Sequence, residues 1–289
     1  MTQKTSLDTQ WQSVVEGDVA RALAEDVGAG DLTAGLIDPA RRVRARILVR
    51  ESAVLCGVPW AEATLRRLDP SATWGWSVGE GARCEADQVV LQMEGNARAL
   101  LTAERTMLNF LQLLSAVATK TAVFVDAVNS VPGNRAAIVD TRKTIPGLRL
   151  AQKYAVRLGG GTNHRIGLFD AVLIKENHID AAGGVTAVLR SAERVAPEAK
   201  FIEIEVETLA QLREALDAGA RMVLLDNMNL AQLREAVAIN AGRAVLEVSG
   251  GVNLDTVRDI AATGVDRISI GALTKDVKAT DFSMRFEEL

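Results

Sequence analysis

Cysteine is almost absent: Cys56 and Cys84 are the two in 289 residues, without the close spacing of a metal clamp. That count excludes a disulfide-built scaffold and makes a reducing compartment the simple expectation. A large excess of one charge is missing too. Lys and Arg number 33 against 37 Asp and Glu, a net charge of −4. Whole-molecule affinity for nucleic acid or an anionic membrane is therefore not expected, and any anion site must be local. The first thirteen residues lack the apolar core of a secretory signal. The most apolar stretch, residues 99–128, contains Glu104, Arg105, Lys120 and Asp126, so no membrane span is expected. The glycine run Gly159-Gly-Gly161 is neither a dinucleotide-binding fingerprint, having no strand before it, nor a P-loop, which would end in Gly-Lys-Ser/Thr. A soluble, cytoplasmic protein is the expectation.

What is present suits a globular enzyme. Hydrophobic residues make up 48% and charged residues 24%, enough to bury a substantial core, and the length allows one large domain or two smaller ones. The first hundred residues mix a helix near Val14–Glu25 with strand-like runs. Residues 44–50 alternate apolar and charged side chains, and Val89–Met93 is a second run. This half reads as an α+β layer with an antiparallel sheet, to which the final stretch from Asp281 can return. Residues 101–128 carry helical spacing.

Beyond Asn129 the pattern becomes regular. Short β-rich runs at Ala137–Val139, Ala171–Ile174, Phe201–Ile204, Met222–Leu225, Ala244–Val248 and Arg267–Ile270 alternate with amphipathic helices at Leu209–Ala218, Leu230–Ile239 and Leu254–Ala262. Asn229 and Asn253 stand where N-caps belong. Such alternation means a parallel sheet, closed as a barrel or open and doubly wound. Nearly every run ends in a polar residue or glycine, which favours a barrel, where all carboxyl ends converge on one mouth.

Those ends carry the chemistry. Between Arg142 and Lys175 lie eight cationic or imidazole side chains and one acid, Asp170. Arg149, Lys153 and Arg157 are four apart and read as a solvated helix stripe. Thr141, Arg142, Lys143, His164, Arg165 and Lys175 sit at strand ends or in loops and suit a polyanion. His164, beside the glycine run, is expected to face a ligand, whereas His178 is left open between a ligand and a structural role. Glu203, Glu205 and Glu207 share one strand face. Glu205 and Asp226 can hold sugar hydroxyls or a divalent metal, or pair with Lys143 or Lys175. Ser249-Gly250-Gly251 and Ser269-Ile270-Gly271 close the last two strands, where barrels frequently cradle phosphate at a following helix N-terminus. A Schiff-base lyase using Lys175 is an alternative.

The chain resembles the quinolinate phosphoribosyltransferase family in segments that run in family order. They include Glu25-Asp-Val-Gly-Ala-Gly-Asp-Leu-Thr33, Thr102-Ala-Glu-Arg-Thr-Met-Leu-Asn109, Asp140-Thr-Arg-Lys-Thr-Ile-Pro-Gly-Leu-Arg149, Gly159-Gly-Gly-Thr-Asn-His-Arg165, Leu173-Ile-Lys-Glu-Asn-His178, Glu203-Ile-Glu-Val-Glu207, Leu225-Asp-Asn227, Leu246-Glu-Val-Ser-Gly250 and Ser269-Ile-Gly-Ala-Leu-Thr274. The resemblance implies an N-terminal α/β sandwich domain over residues 1–115, joined by the C-terminal segment 276–289. It implies an incomplete, seven-stranded α/β barrel over residues 116–275. It further implies quinolinate and phosphoribosyl pyrophosphate as substrates, Mg2+, and a homodimer in which Arg105 completes the partner's site. A homologue of the same fold with another substrate is the other possibility.

Overall fold

The structure, a computed structural model, describes residues 9–287, with side chains from residue 11. In chain order it contains α1 (Thr9–Asp26), β1 (Arg42–Val49), β2 (Ala53–Val54), α2 (Val58–Leu68), β3 (Thr73–Trp76), β4 (Arg83–Cys84), β5 (Val89–Asn96) and α3 (Ala97–Asn129). There follow β6 (Ala137–Val139), α4 (Arg149–Leu158), β7 (Val172–Ile174), α5 (Glu176–Ala182), α6 (Val185–Val195), β8 (Ile202–Val206) and α7 (Leu209–Asp217). The chain ends with β9 (Met222–Asp226), α8 (Leu230–Asn240), β10 (Val245–Ser249), α9 (Val257–Ala261), β11 (Arg267–Ser269), α10 (Ala272–Lys275) and β12 (Phe282–Glu287). Two compact units result, and they interleave in sequence. The first holds residues up to Lys120, Pro146–Gly159 and from Val277 on; the second holds Thr121–Ile145 and Gly160–Asp276.

The first unit is built on an antiparallel sheet ordered β12-β1-β5-β3, with a small β2-β4 ribbon. The alternation in β1 places Val43, Ala45, Ile47 and Val49 inside and Arg42 and Arg44 outside, as period-two patterning requires. The inner face packs on Ala61 and Leu65 of α2 and on Leu100, Met107 and Leu111 of α3. The C-terminal return expected from the sequence is β12, paired with β1 from Arg44↔Glu287 to Val49↔Phe282; residues 288 and 289 lie outside the described residues, as does most of the polar N-terminal stretch. Beneath the helices, the Trp60 indole N–H donates to Asp18 Oδ2 at 3.0 Å. Arg21 closes on the same carboxylate.

Two expectations need correction here. Within α3 there is an 18-residue window long and apolar enough to cross a membrane by length and composition alone. The charged residues Glu104, Arg105, Lys120 and Asp126 do not break the run, because no more than two charged residues fall within that window. Most of that window is buried in the protein, as befits a core helix. Nor is α4 a solvated stripe: Lys153 is almost completely buried, along with Ala151, Gln152, Tyr154, Ala155 and Val156. Six consecutive buried residues, 151–156, leave only Arg157 exposed, so the three cations do not form a charge ladder on a solvent face.

The second unit is a parallel sheet ordered β6-β11-β10-β9-β8-β7, with α5 to α9 in the connections. Its core joins Ile138, Ile174, Ile204, Val223, Leu225, Leu246, Val248 and Ile268 from the strands to Leu189, Leu212, Leu233 and Val257 from the helices. A seventh strand exists only as a single parallel bridge, Val139↔Thr162, made by Thr162 N–H to Ile138 O and Asp140 N–H to Thr162 O. The segment there is Gly159-Gly-Gly-Thr162, and glycine is a poor strand former. Asn229 caps α8 as expected, accepting from Ala231 and Gln232 N–H at 3.0 Å. Asn253 instead caps a turn, and α9 starts only at Val257.

Removing the Asp18 carboxylate should leave the buried Trp60 N–H without an acceptor, at a cost of about 1–3 kcal/mol. Asp18→Ala is therefore expected to lower the urea midpoint for unfolding, and an unchanged midpoint would contradict the packing described.

Candidate active site

Because the sheet of the second unit is parallel, the carboxyl ends of its strands fall at one edge. Three of the expected residues meet there through β8, β9 and the end of β7. Lys175 Nζ lies 2.8 Å from Glu205 Oε2. Asp226 is close enough to both for their charges to act on it: burial first, then Glu205, push its carboxyl above the ordinary range, while Lys175 and Lys143 pull it down. Glu205 and Asp226 are thus neighbours, and the ion pair with Lys175 is formed.

Lys143 is held at the backbone. Its N–H donates to Thr141 Oγ1 at 3.0 Å, and its carbonyl accepts from the buried Thr274 hydroxyl at 2.7 Å. Its side chain passes over Gly271, where a Cβ would lie 2.9 Å from Lys143 Cδ and 3.6 Å from Thr141 Oγ1. A side chain at 271 would therefore have to push the flexible Lys143 side chain aside. At the end of β10, Gly250 and Gly251 take φ of +96° and +61°, successive left-handed positions that other residues adopt only with strain.

The remaining cations converge by way of a buried layer. The three glutamates of the β8 region form a gradient along one face: Glu203 is fully buried, Glu205 half-buried and Glu207 exposed. Glu203 Oε2 receives His164 Nε2 at 2.8 Å, and Glu247 Oε1 stands 3.5 Å from the same nitrogen. Glu247 Oε2 binds Arg267 Nε at 2.7 Å, because Glu247 and Arg267 are partners in the β10–β11 register. The other imidazole nitrogen, Nδ1, accepts the Arg165 backbone N–H at 2.8 Å. An acceptor at Nδ1 carries no proton, so His164 is the neutral Nε2–H tautomer that donates to Glu203. That tautomer has no lone pair at Nε2 for a metal, although His164, Glu203 and Glu247 are near enough to one another to form a ligand cluster.

Arg165 is buried, with Nη1 at 3.5 Å from Ala171 O. Burial and the adjacent Arg142 hold its guanidinium below the ordinary range, against the pull of Glu203 and Asp170. Asp170 in turn anchors the loop, accepting from Ile166 and Gly167 N–H. Two guanidiniums, Arg142 and Arg165, are thus brought within repelling distance.

Several expectations are corrected by this geometry. His164 was expected to face a ligand; with both ring nitrogens engaged and the ring buried, it supports Arg165 from beneath. Ile270 is buried and its N–H is used by Val139 O at 2.9 Å, so it does not offer that group to phosphate. The Ser269 side chain is buried and turns to Val248 O at 3.3 Å. The Ser249–Gly251 loop is followed by a turn before α9, so no helix N-terminus directly succeeds it. His178 resolves as a cap, its Nδ1 accepting Lys175 N–H at 3.0 Å. Arg105 stands exposed on the part of α3 in the first unit and is not among the residues the barrel gathers.

Sequence reasoning missed Glu247, Arg267 and Asp140. Asp140 is fully buried, accepting His164 N–H at 2.8 Å and Asn163 Nδ2 at 2.6 Å. The alternation of Glu203 and Glu205 could have exposed Glu203 as the deeper member. Arg267 opposite Glu247 requires the strand register.

Comparison with known proteins places this arrangement. The family model for the quinolinate phosphoribosyl transferase C-terminal domain matches residues 117–285, and that for its N-terminal domain matches residues 31–115. The nicotinate-nucleotide pyrophosphorylase [carboxylating] of Mycobacterium leprae is 43% identical, over 92% of this chain and 95% of its own. Quinolinate phosphoribosyltransferase [decarboxylating] 1 of Nicotiana glauca is 39% identical, over 94% of this chain and 82% of its own. The solved nicotinate-nucleotide pyrophosphorylase of Francisella tularensis superposes with a TM-score of 0.92 at 41% identity, covering 99% of this chain and all of that one.

Burial, and for Glu247 the nearby Glu203 charge, push the carboxyls of both Glu203 and Glu247 up to about 7. Between the ordinary glutamate value of about 4.3 and about 7 the folded protein then holds more protons than the unfolded chain. Stability falls as pH rises through that window. Urea unfolding from pH 5 to 8 should show a shallower fall for Glu247→Gln than for the unaltered protein. Parallel profiles would contradict the buried pair.

Proposed function

The chain belongs to the quinolinate phosphoribosyltransferase family of NAD biosynthesis, and from that premise we propose how its residues divide the reaction. It is a pentosyltransferase. Its substrates are quinolinate and phosphoribosyl pyrophosphate, and its products nicotinate mononucleotide, carbon dioxide and pyrophosphate. The observation that carries this reading is the Lys175–Glu205 pair beside Asp226 at the carboxyl ends of the strands, with the Arg165 guanidinium held below its ordinary range by burial and by the nearby Arg142 charge. A buried guanidinium near a second cation suits a polyanion, and quinolinate supplies two adjacent carboxylates.

Arg142, Lys143, Arg165 and Lys175 take those carboxylates. Glu205 and Asp226 take the ribose hydroxyls, and the Ser249–Gly251 loop with Gly271 takes the 5-phosphate. Ser269 and Ile270 shape that cradle through the strand. Lys175 is paired with Glu205 and exchanges that partner for substrate.

The pyridine nitrogen attacks the anomeric carbon as the bond to pyrophosphate breaks, through an oxocarbenium-like state. Glu205 and Asp226 stabilise the positive ribose electrostatically, and the enzyme supplies no covalent nucleophile. The new pyridinium nitrogen then stabilises electrostatically the carbanion left on the ring carbon when the adjacent carboxylate departs as carbon dioxide, and that carbon takes up a proton. Glu205 and Asp226 also fit Mg2+, being hard oxygen donors whose mutual repulsion a divalent cation would relieve. Bound with pyrophosphate, the ion would neutralise the leaving group's charge.

The assembly is a homodimer in which Arg105 reaches the partner's site; its exposure supports that reading. The near-neutral composition supports a cytoplasmic enzyme without nucleic-acid or membrane partners. A Schiff-base role for Lys175 is disfavoured, since its ammonium is ion-paired and half open to water, unlike the desolvated lysines of that chemistry.

Incubation with quinolinate and phosphoribosyl pyrophosphate should release carbon dioxide and pyrophosphate in equal amounts; release of neither would overturn the assignment. Lys143→Ala should raise KM for quinolinate roughly ten- to hundredfold, the worth of one charge-assisted contact, with an unchanged melting temperature. Excess EDTA should stop turnover, and full activity in its presence would remove Mg2+ from the account. Arg105→Ala mixed with Lys175→Ala should regain partial activity, and mixed dimers without rescue would refute the shared site.

A further inference from the structure

At the end of β9 the backbone turns sharply. Asn227 has φ +54°, and only two other non-glycine residues among those described, Asp87 and Ala241, have positive φ. Asparagine is among the side chains that tolerate this left-handed region best. The turn folds its side chain back onto the preceding residue, where Nδ2 donates to Asp226 Oδ2 at 2.8 Å. The other side of the amide abuts β10: a Cβ on Gly250 would lie 2.7 Å from Asn227 Oδ1 and 3.3 Å from Asp226 Oδ1. Amide and carboxylate are therefore wedged together against a glycine that must stay small.

The wedge matters because Asp226 has competing attractions. Lys175 and Lys143 both draw its charge, and Glu205 repels it. A carboxylate free to rotate would turn toward one of the lysines, taking both partners out of use. We propose that Asn227 is a positioning residue, whose amide fixes the Asp226 carboxylate in the orientation that receives the ribose of phosphoribosyl pyrophosphate. This rests on the ribose-binding reading of Asp226. Neither the sequence reading nor the family resemblance gave Asn227 a role.

Two substitutions isolate the amide. Asn227→Gly keeps the left-handed backbone at no steric cost, keeps the backbone N–H that also binds the Asp226 carboxylate, and deletes only the side-chain donor. Asn227→Asp keeps the shape and sets a like charge against Asp226. Steady-state kinetics of Asn227→Gly should show KM for phosphoribosyl pyrophosphate raised about tenfold, the loss of one hydrogen bond to a charged group. KM for quinolinate and the melting temperature should not move, and Asn227→Asp should be at least as impaired toward phosphoribosyl pyrophosphate. In an Asp226→Asn background, Asn227→Gly should add nothing, since it acts through that carboxylate. The inference is overturned if Asn227→Gly leaves that KM unchanged, moves both KM values alike, or multiplies with Asp226→Asn. An inert Asp226→Asn would overturn the ribose-binding reading and this inference with it. An impaired Asp226→Asn beside an inert Asn227→Gly would overturn this inference alone.

Discussion

Burial and the nearby Arg142 charge disfavour the Arg165 cation, and much of the second unit can be understood as the means of holding that guanidinium in place. Like charges stay close in a protein only when the backbone leaves them no escape and acids offset part of the cost. Both conditions are met. The backbone N–H of Arg165 is tied to His164, whose ring is fixed by Glu203, and His164 N–H is tied to Asp140. Glu203 and Asp170 supply the opposing charge. In the proposed function, a dianionic substrate adds further negative charge beside the guanidiniums.

The inner face of the barrel sorts its acids by depth. Glu203 and Glu247 lie fully buried, where desolvation pushes their carboxyls up and Arg267 and His164 hold them in place. One step toward the mouth, Glu205 and Asp226 are half-buried and within reach of lysines. The deep pair is tied to His164 and Arg267 through Oε2 of each glutamate, while the buried Oε1 of each has no hydrogen-bond partner. The upper pair can exchange a lysine for a ligand, which is what a binding group must do. Depth along one strand, from Glu203 to Glu205, therefore separates support from chemistry among residues of the same type.

This division explains what the sequence could and could not reveal. The parallel repeat was legible because each strand is a short apolar run closed by a polar residue, and the helices announce themselves by period and by caps such as Asn229. The upper site was legible because Lys143, Lys175, Glu205 and Asp226 stand at those closing positions. His164 misled because a histidine beside three glycines looks the same whether it faces inward or outward; its direction depends on Glu203 and on Arg165 N–H, both seen only in three dimensions. Arg267 and Glu247 are 20 positions apart and meet through strand register. Lys153 had the spacing of a surface stripe, and its burial depends on what packs around α4.

The central claim is that the clustered cations recognise a doubly charged aromatic acid through both of its carboxylates. Calorimetric titration of the protein with quinolinate and with nicotinate, which lacks one carboxylate, tests it directly. Quinolinate should bind at least about tenfold more tightly, the worth of one charge-assisted contact, and Arg165→Gln should erase most of that preference. Equal affinity for the two acids, or a preference that survives Arg165→Gln, would contradict the account.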